Sequence, residues 1–182
     1  MKLMVASDLH GSAYFTRQLL LQLETMQCDK LLLLGDLLYH GARNDLPEGY
    51  APKEVIELLN AVSDKILAVR GNCDSEVDQM VMSFPIMAPY SQVLWENKTV
   101  FLTHGHSITP ENAPKLPKGS LFLSGHTHIP TFVENEGVYY ANPGSVSIPK
   151  NGSVRGFFVL DTETHTLSRY DLAGECLESH LV

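Results

Sequence analysis

The sequence predicts an α/β fold in which two β-sheets pack together with helices outside, and three observations carry that expectation. Five short apolar runs, Leu3-Met4-Val5-Ala6, Leu31-Leu32-Leu33-Leu34, Ile66-Leu67-Ala68-Val69, Val100-Phe101-Leu102 and Leu121-Phe122-Leu123, suit strands buried on both faces. Apolar residues at helical spacing lie between the first and second runs and between the second and third. Past Asn72 the texture changes to short strand candidates with little helix between them.

The elements follow in order. After the first strand, Phe15, Leu19, Leu20, Leu23 and Met26 recur at helical spacing behind Ser12, a residue type that caps helix N-termini. This strand-helix-strand unit calls for a right-handed crossover. Residues 39–50 carry Gly41, Gly49, Pro47 and several polar residues and read as an exposed loop. Pro52 then opens a helix bearing Val55, Ile56, Leu59 and Val62, which leads into the third strand. Residues 87–96, 98–103, 120–124, 131–134 and 138–141 are further strand candidates, and Asn135-Glu136-Gly137 suits a hairpin turn. Residues 156–160 and 166–170 flank another turn around Thr162-Glu163-Thr164. Residues 107–119 contain Pro110, Pro114 and Pro117 and are expected as a connector or lid beside the site. The apolar residues 81–87 could either cover the second sheet or pack in a homo-oligomer interface.

At 182 residues with 44% hydrophobic content, the chain holds one ordinary core, so a single domain spanning 1–182 is expected. No apolar stretch approaches the roughly 20 residues that span a bilayer, and Asp8 interrupts a signal-peptide pattern. A cytoplasmic protein without a membrane partner is the expectation. Cys28, Cys73 and Cys176 show no CxxC spacing and read as reduced thiols. The net charge of -8 argues against nucleic acid as a stable partner, because duplex binding depends on basic surface. A small anionic ligand stays open, since bound cations can locally reverse the sign that the overall count suggests.

Each buried run ends in a metal-ligating residue type: Asp8-Leu9-His10, Gly35-Asp36, Gly71-Asn72, His104-Gly105-His106 and Gly125-His126-Thr127-His128. In open α/β sheets ligands gather beyond the carboxyl ends of the strands, so these ends can converge on one crevice. Asp8 and His10 are alternate residues where the chain leaves the pleat, and both can turn to one ion. Carboxylate with imidazole suits manganese, iron or zinc better than magnesium. Asp36 has two oxygens and can bridge ions about 3.5–4 Å apart. Asn72 supplies an amide oxygen, and His104, His126 and His128 add imidazoles. Seven protein ligands then serve two centres with open positions for water and substrate. Such a pair would support in-line attack on phosphorus by a dimetal-bridging hydroxide, with no serine or cysteine nucleophile.

The ordered blocks Asp-x-His, Gly-Asp, Gly-Asn, His and Gly-His-x-His resemble the calcineurin-like metallophosphoesterases over residues 2–146. The stretch from Gly35 to Asn44 and the sequence Asn142-Pro143-Gly144-Ser145 look like the small bacterial phosphodiesterases of that family. The resemblance implies a four-layer fold of two packed mixed β-sheets flanked by helices. It implies one metal on Asp8, His10, Asp36 and His128 and a second on Asp36, Asn72, His104 and His126, with manganese as the expected ion. The implied activity is hydrolysis of a small phosphodiester. One departure matters: where the family usually reads Gly-Asn-His, this chain reads Gly71-Asn72-Cys73. Without the histidine proton donor, phosphomonoesterase activity is expected to be weak or absent. Asp74, His106, His40 and Arg43 are candidates for substrate contact or for supporting the ligands, with Asp74 placed to orient His104. The alternatives are a phosphomonoesterase or nuclease of the same fold, or a non-catalytic protein-interaction scaffold, for which eroded ligands would be expected.

Overall fold

The computed structural model describes residues 1–182. Its strands are β1 (Lys2–Ala6), β2 (Lys30–Leu33), β3 (Ile66–Ala68), β4 (Tyr90–Trp95), β5 (Lys98–Thr103), β6 (Leu121–Leu123), β7 (Thr131–Asn135), β8 (Val138–Asn142), β9 (Gly156–Asp161), β10 (Thr166–Asp171) and β11 (Cys176–Leu181). Its α-helices are α1 (Ala13–Thr25), α2 (Pro52–Asn60) and α3 (Glu76–Val81). Six strands form one sheet in the order β11-β10-β9-β1-β2-β3, and five form a second in the order β4-β5-β6-β8-β7. Both sheets are mixed: β1, β2 and β3 run parallel, as do β5, β6 and β8, whereas β9 to β11 and the edge strands β4 and β7 are antiparallel.

The side-chain alternation of each strand serves two cores. Leu3, Val5, Leu32, Leu34, Phe158 and Leu160 point from the first sheet toward Val100, Leu102, Leu121 and Leu123 of the second, forming the dry layer between them. Met4, Ala6, Leu31, Leu33, Phe157 and Val159 point the other way, onto α1 and α2. Full burial of each such Val, Leu, Met or Phe side chain contributes about 2 kcal/mol. Helix α1 begins where expected, with Ser12 Oγ accepting from Phe15 N at 3.3 Å, and α2 begins at Pro52. The turn at Glu136 and Gly137 has φ of 53° and 84°, the paired positive values of a tight hairpin.

Two expectations are corrected. Residues 81–87 do not cover the second sheet: Met82, Phe84 and Ile86 are buried with α1 and α2 against the first. Those three side chains are therefore consumed inside the chain, while Val81 stays exposed. Of the two readings of residues 107–119, the structure supports the connector and not the lid. Ile108, Ala113 and Leu116 pack on Phe101, Phe122 and Val138, so the proline-rich segment takes the place of a helix on the outer face of the second sheet. Two elements were also not foreseen. Helix α3 is six residues long and starts at a capping box between Ser75 and Asp78. Strand β11 lies at an edge, where Ser179 Oγ bonds Ser168 Oγ at 2.7 Å and the His180 ring stacks on Phe132 of the other sheet at 3.7 Å. No helix is long and apolar enough to cross a membrane.

Candidate metal centre

The parallel strands of both sheets deliver their carboxyl ends to one crevice, and the predicted residues meet there. Beyond β1, Asp8 and His10 have φ of 60° and 46°; beyond β2, Asp36 has 57°; beyond β6, His126 and His128 have 68° and 60°. Non-glycine residues seldom take this left-handed conformation, and its recurrence at functional side chains marks strain that the surrounding fold must sustain. The kink at each strand end lets i and i+2 side chains aim inward together. Glycines admit the close approach. A Cβ on Gly71 would lie 2.1 Å from Asp36 Oδ1, and one on Gly125 would lie 1.9 Å from Ser7 Oγ.

Asp8 and His104 are fully inaccessible, and His10, Asp36 and His128 nearly so. His128 Nε2 lies 3.2 Å from Asp8 Oδ1 and 3.1 Å from His10 Nε2. His10 Nε2 is 3.5 Å from Asp8 Oδ1 and 3.7 Å from Asp36 Oδ2. On the other side of Asp36, His104 Nε2 is 3.4 Å from Oδ2 and 3.0 Å from Asn72 Oδ1. The His126 ring centroid is 5.1 Å from that of His104. All seven residues named from sequence are thus brought together around Asp36.

The ring orientations are set by backbone carbonyls. Nδ1–H of His10 donates to Tyr39 O at 2.8 Å, that of His104 to Leu34 O at 2.6 Å and that of His128 to Ile148 O at 2.7 Å. In the neutral ring each Nε2 therefore presents a lone pair to the crevice. Two imidazole nitrogens at 3.1 Å, a carboxylate oxygen of Asp8 without any hydrogen-bond donor and the shared Asp36 form a donor set without donors of its own. That chemistry fits a pair of divalent cations. Asp8, His10 and His128 form one cluster of ligand atoms, and Asp8, Asp36 and His104 another, each within 4.8 Å.

Electrostatics agree with this arrangement. Burial alone would raise the Asp8 carboxyl, but the His10 and His128 rings beside it and the charge of His104 outweigh it and hold Asp8 well below the carboxylate range. Asp36 is likewise lowered: burial opposes ionisation, and His104 overcomes it. Burial works against a charged His104, yet Asp36 and Asp8 push it up to about 9.

The supporting residues differ from those expected. Asp74 does not touch His104. Its carboxylate accepts from Asp36 N at 2.9 Å, Leu37 N at 2.8 Å and Gly71 N at 2.7 Å, which ties the ends of β2 and β3 together. Asp74→Ala strands three buried N–H groups and is expected to lower stability by about 3 kcal/mol or more in denaturant unfolding. His40 packs edge-on between Tyr39 and Tyr50, at 4.7 and 5.4 Å, and does not line the cleft. His106 is exposed beside His104, with centroids 5.4 Å apart, and Arg43 does line the cleft. Cys73 lies next to His10 and Asp36, and burial, followed by the Asp36 charge, pushes its thiol up to about 12. In the metal-free protein this keeps it a thiol at neutral pH.

Sequence reading missed the cross-sheet staple. Ser145 Oγ and Ser147 Oγ both donate to Asp8 O, at 2.8 and 2.9 Å, while Asn142 Nδ2 donates to Gly125 O at 2.6 Å and Thr127 Oγ1 at 3.1 Å. The Asn-Pro-Gly-Ser sequence signalled a turn but not its partners. Lys150 in the cleft wall was also missed, and no motif marks it.

Comparison with known proteins places this geometry. The model of the calcineurin-like phosphoesterase superfamily domain matches residues 1–165. The chain is 52% identical over 163 residues to Phosphodiesterase YfcE of Escherichia coli strain K12, covering 90% of this chain and 89% of that protein. The solved structure of YfcE, described as a phosphoesterase from E. coli, superposes with a TM-score of 0.96 at 48% identity and covers both chains completely. Vacuolar Protein Sorting 29 from Cryptosporidium parvum shares the fold, with a TM-score of 0.66 at 19% identity over 100% of this chain and 96% of that one.

Proposed function

The chain belongs to the calcineurin-like phosphoesterase superfamily, and we propose on that premise that it is a manganese-dependent cytoplasmic phosphodiesterase acting on a small phosphodiester, with weak or no phosphomonoesterase activity. The observation that carries the reading is the convergence of three carbonyl-anchored imidazoles and two ionised, buried aspartates on one crevice. Asp8, His10, Asp36 and His128 would hold one ion, and Asp36, Asn72, His104 and His126 the other. Bound divalent ions supply activation of water and neutralisation of charge on the non-bridging phosphoryl oxygens.

The chain's own residues do the rest. The carbonyls of Tyr39, Leu34 and Ile148 hold the tautomers, so no ring must reorient as ligand arrives. Asp74 and the Ser145 and Ser147 hydroxyls fix the backbone of Asp36 and Asp8, which keeps the two halves of the site in register across the sheets. Cys73 leaves no efficient proton donor for a poor leaving group, which favours diesters with stabilised leaving groups. The cleft of about 630 Å³ admits a small diester.

The test is to strip the protein of metal, restore manganese, and compare turnover of bis-nitrophenyl phosphate with nitrophenyl phosphate. Diester turnover well above monoester turnover is expected. Equal or faster monoester turnover would make this a phosphomonoesterase, and no turnover with any divalent ion would leave the scaffold reading standing. Metal loading carries its own prediction. His104 is pushed up to about 9, so at about pH 7 it must lose a proton to become a ligand. Loading should release protons and tighten as pH rises toward that value. Calorimetry in buffers of different ionisation enthalpy reads this directly, and a buffer-independent enthalpy would contradict it.

A further inference from the structure

The cleft above the proposed metal centre carries two cations that no carboxylate neutralises. Arg43 and Lys150 line it, whereas Arg17 and Arg70 are paired with Glu54 and Glu76 elsewhere. Among the thirteen lining residues only Asp36 is acidic, and its oxygens are turned to His10, His104 and Cys73 N. In a chain with 21 acidic and 13 basic residues this is a local reversal of sign. Only three lining residues are hydrophobic, so an apolar substituent would find little to bury against.

Both cations are seated on backbone that is tied to the site. Arg43 sits in a turn closed by Asn44 N donating to Gly41 O at 3.1 Å and by Asn44 Nδ2 donating to His40 O at 2.8 Å. That turn follows directly on Tyr39, whose carbonyl orients His10. Lys150 N donates to His128 O at 3.2 Å, and Lys150 O accepts from Ser153 Oγ at 2.7 Å. A phosphodiester carries one negative charge, and the proposed metal pair would account for it. A cleft of about 630 Å³ leaves room for a substituent beyond the reacting phosphate.

We propose that Arg43 and Lys150 form an anion subsite that selects phosphodiesters bearing a second anionic group, carboxylate or phosphoryl, on the arm remote from the scissile bond. The proposal rests on the phosphodiesterase reading of the same cleft. Guanidinium recognises either group bidentately, and the ammonium adds a point charge from a second loop.

Three nitrophenyl phosphodiesters that differ only in the second arm test it: methoxypropyl, carboxypropyl and phosphonopropyl. Their common leaving group keeps the chemistry constant. With the manganese-loaded enzyme, kcat/KM is expected to be at least tenfold higher for an anionic arm than for methoxypropyl, mostly through KM, and the ratio should fall as salt is added. The order of the two anionic arms tells carboxylate from phosphoryl recognition. In Arg43→Gln with Lys150→Gln the ratio should approach one, and in Arg43→Lys with Lys150→Arg it should return. A ratio near one in the unmodified enzyme, or a preference that survives the double Gln variant, overturns the subsite while leaving the phosphodiesterase intact. Failure of all three diesters refutes the phosphodiesterase reading, and the subsite with it.

Discussion

Asp36→Asn is expected to lower diester turnover by roughly 10³-fold, with loss of one or both bound metal ions. Asp36 is the hinge of the cluster: Oδ2 lies 3.4 Å from His104 Nε2 and 3.7 Å from His10 Nε2, and Oδ1 accepts from Cys73 N at 2.7 Å. Asparagine keeps the volume and can hold the same backbone hydrogen bond from Asp36 N to Asp74, so the fold should survive. What changes is charge and polarity. One of the two oxygens becomes an NH₂ group; with Oδ1 kept on the Cys73 N–H, that group replaces the oxygen facing His10 and His104, and an amide nitrogen has no lone pair to give a metal ion. Metal stoichiometry and turnover measured on the same preparation decide the matter. Two tightly held ions with turnover within tenfold of the unmodified enzyme would remove Asp36 from the role of bridge.

The second large effect is a gain. Cys73→His is expected to raise turnover of alkyl phosphomonoesters by roughly 10²-fold, the usual contribution of a positioned general acid. Cys73 Sγ lines the cleft, receives a hydrogen bond from Asn72 Nδ2 at 3.3 Å, and faces Gly41, whose missing Cβ leaves space for a larger ring. A thiol pushed up to about 12 is a weak donor, whereas an imidazolium near its ordinary pKa of about 6.5 gives up its proton readily. The gain should therefore fade as pH rises through the imidazole range, and it should be much smaller for nitrophenyl phosphate, whose leaving group departs unaided. An equal gain for both leaving groups would point to repositioning rather than acid catalysis. No gain at all would remove the missing histidine as the explanation for diester preference.

The strands were legible wherever burial on both faces left an unbroken apolar run, as in Leu31-Leu32-Leu33-Leu34, because a doubly covered strand tolerates no polar position. Helix α1 was legible from its period and from Ser12. Strand β11 was not, because Cys176, Leu177 and Leu181 are exposed and its existence depends on pairing with β10 and on the stack of His180 against Phe132. Helix α3 had a readable capping box, but six residues with Val77 and Met80 exposed gave no amphipathic period. The covering roles of residues 81–87 and 107–119 escaped for a related reason: composition marks a segment as apolar or irregular without saying which sheet face lies beneath it.

For the site, the sequence by itself determined which side chains stand at the strand ends and in what order, since a strand end followed by Asp, Asn or His is a local property of the chain. The tertiary structure alone decided which nitrogen of each imidazole faces the crevice, which backbone the Asp74 carboxylate pins, and which two cations share the cleft. Those features rest on partners far apart in the chain, such as His128 with His10 and Ser145 with Asp8, 118 and 137 positions away. Only the packing of one sheet on the other brings them within hydrogen-bond range, and a hydrogen bond of about 3 Å has no signature in local composition.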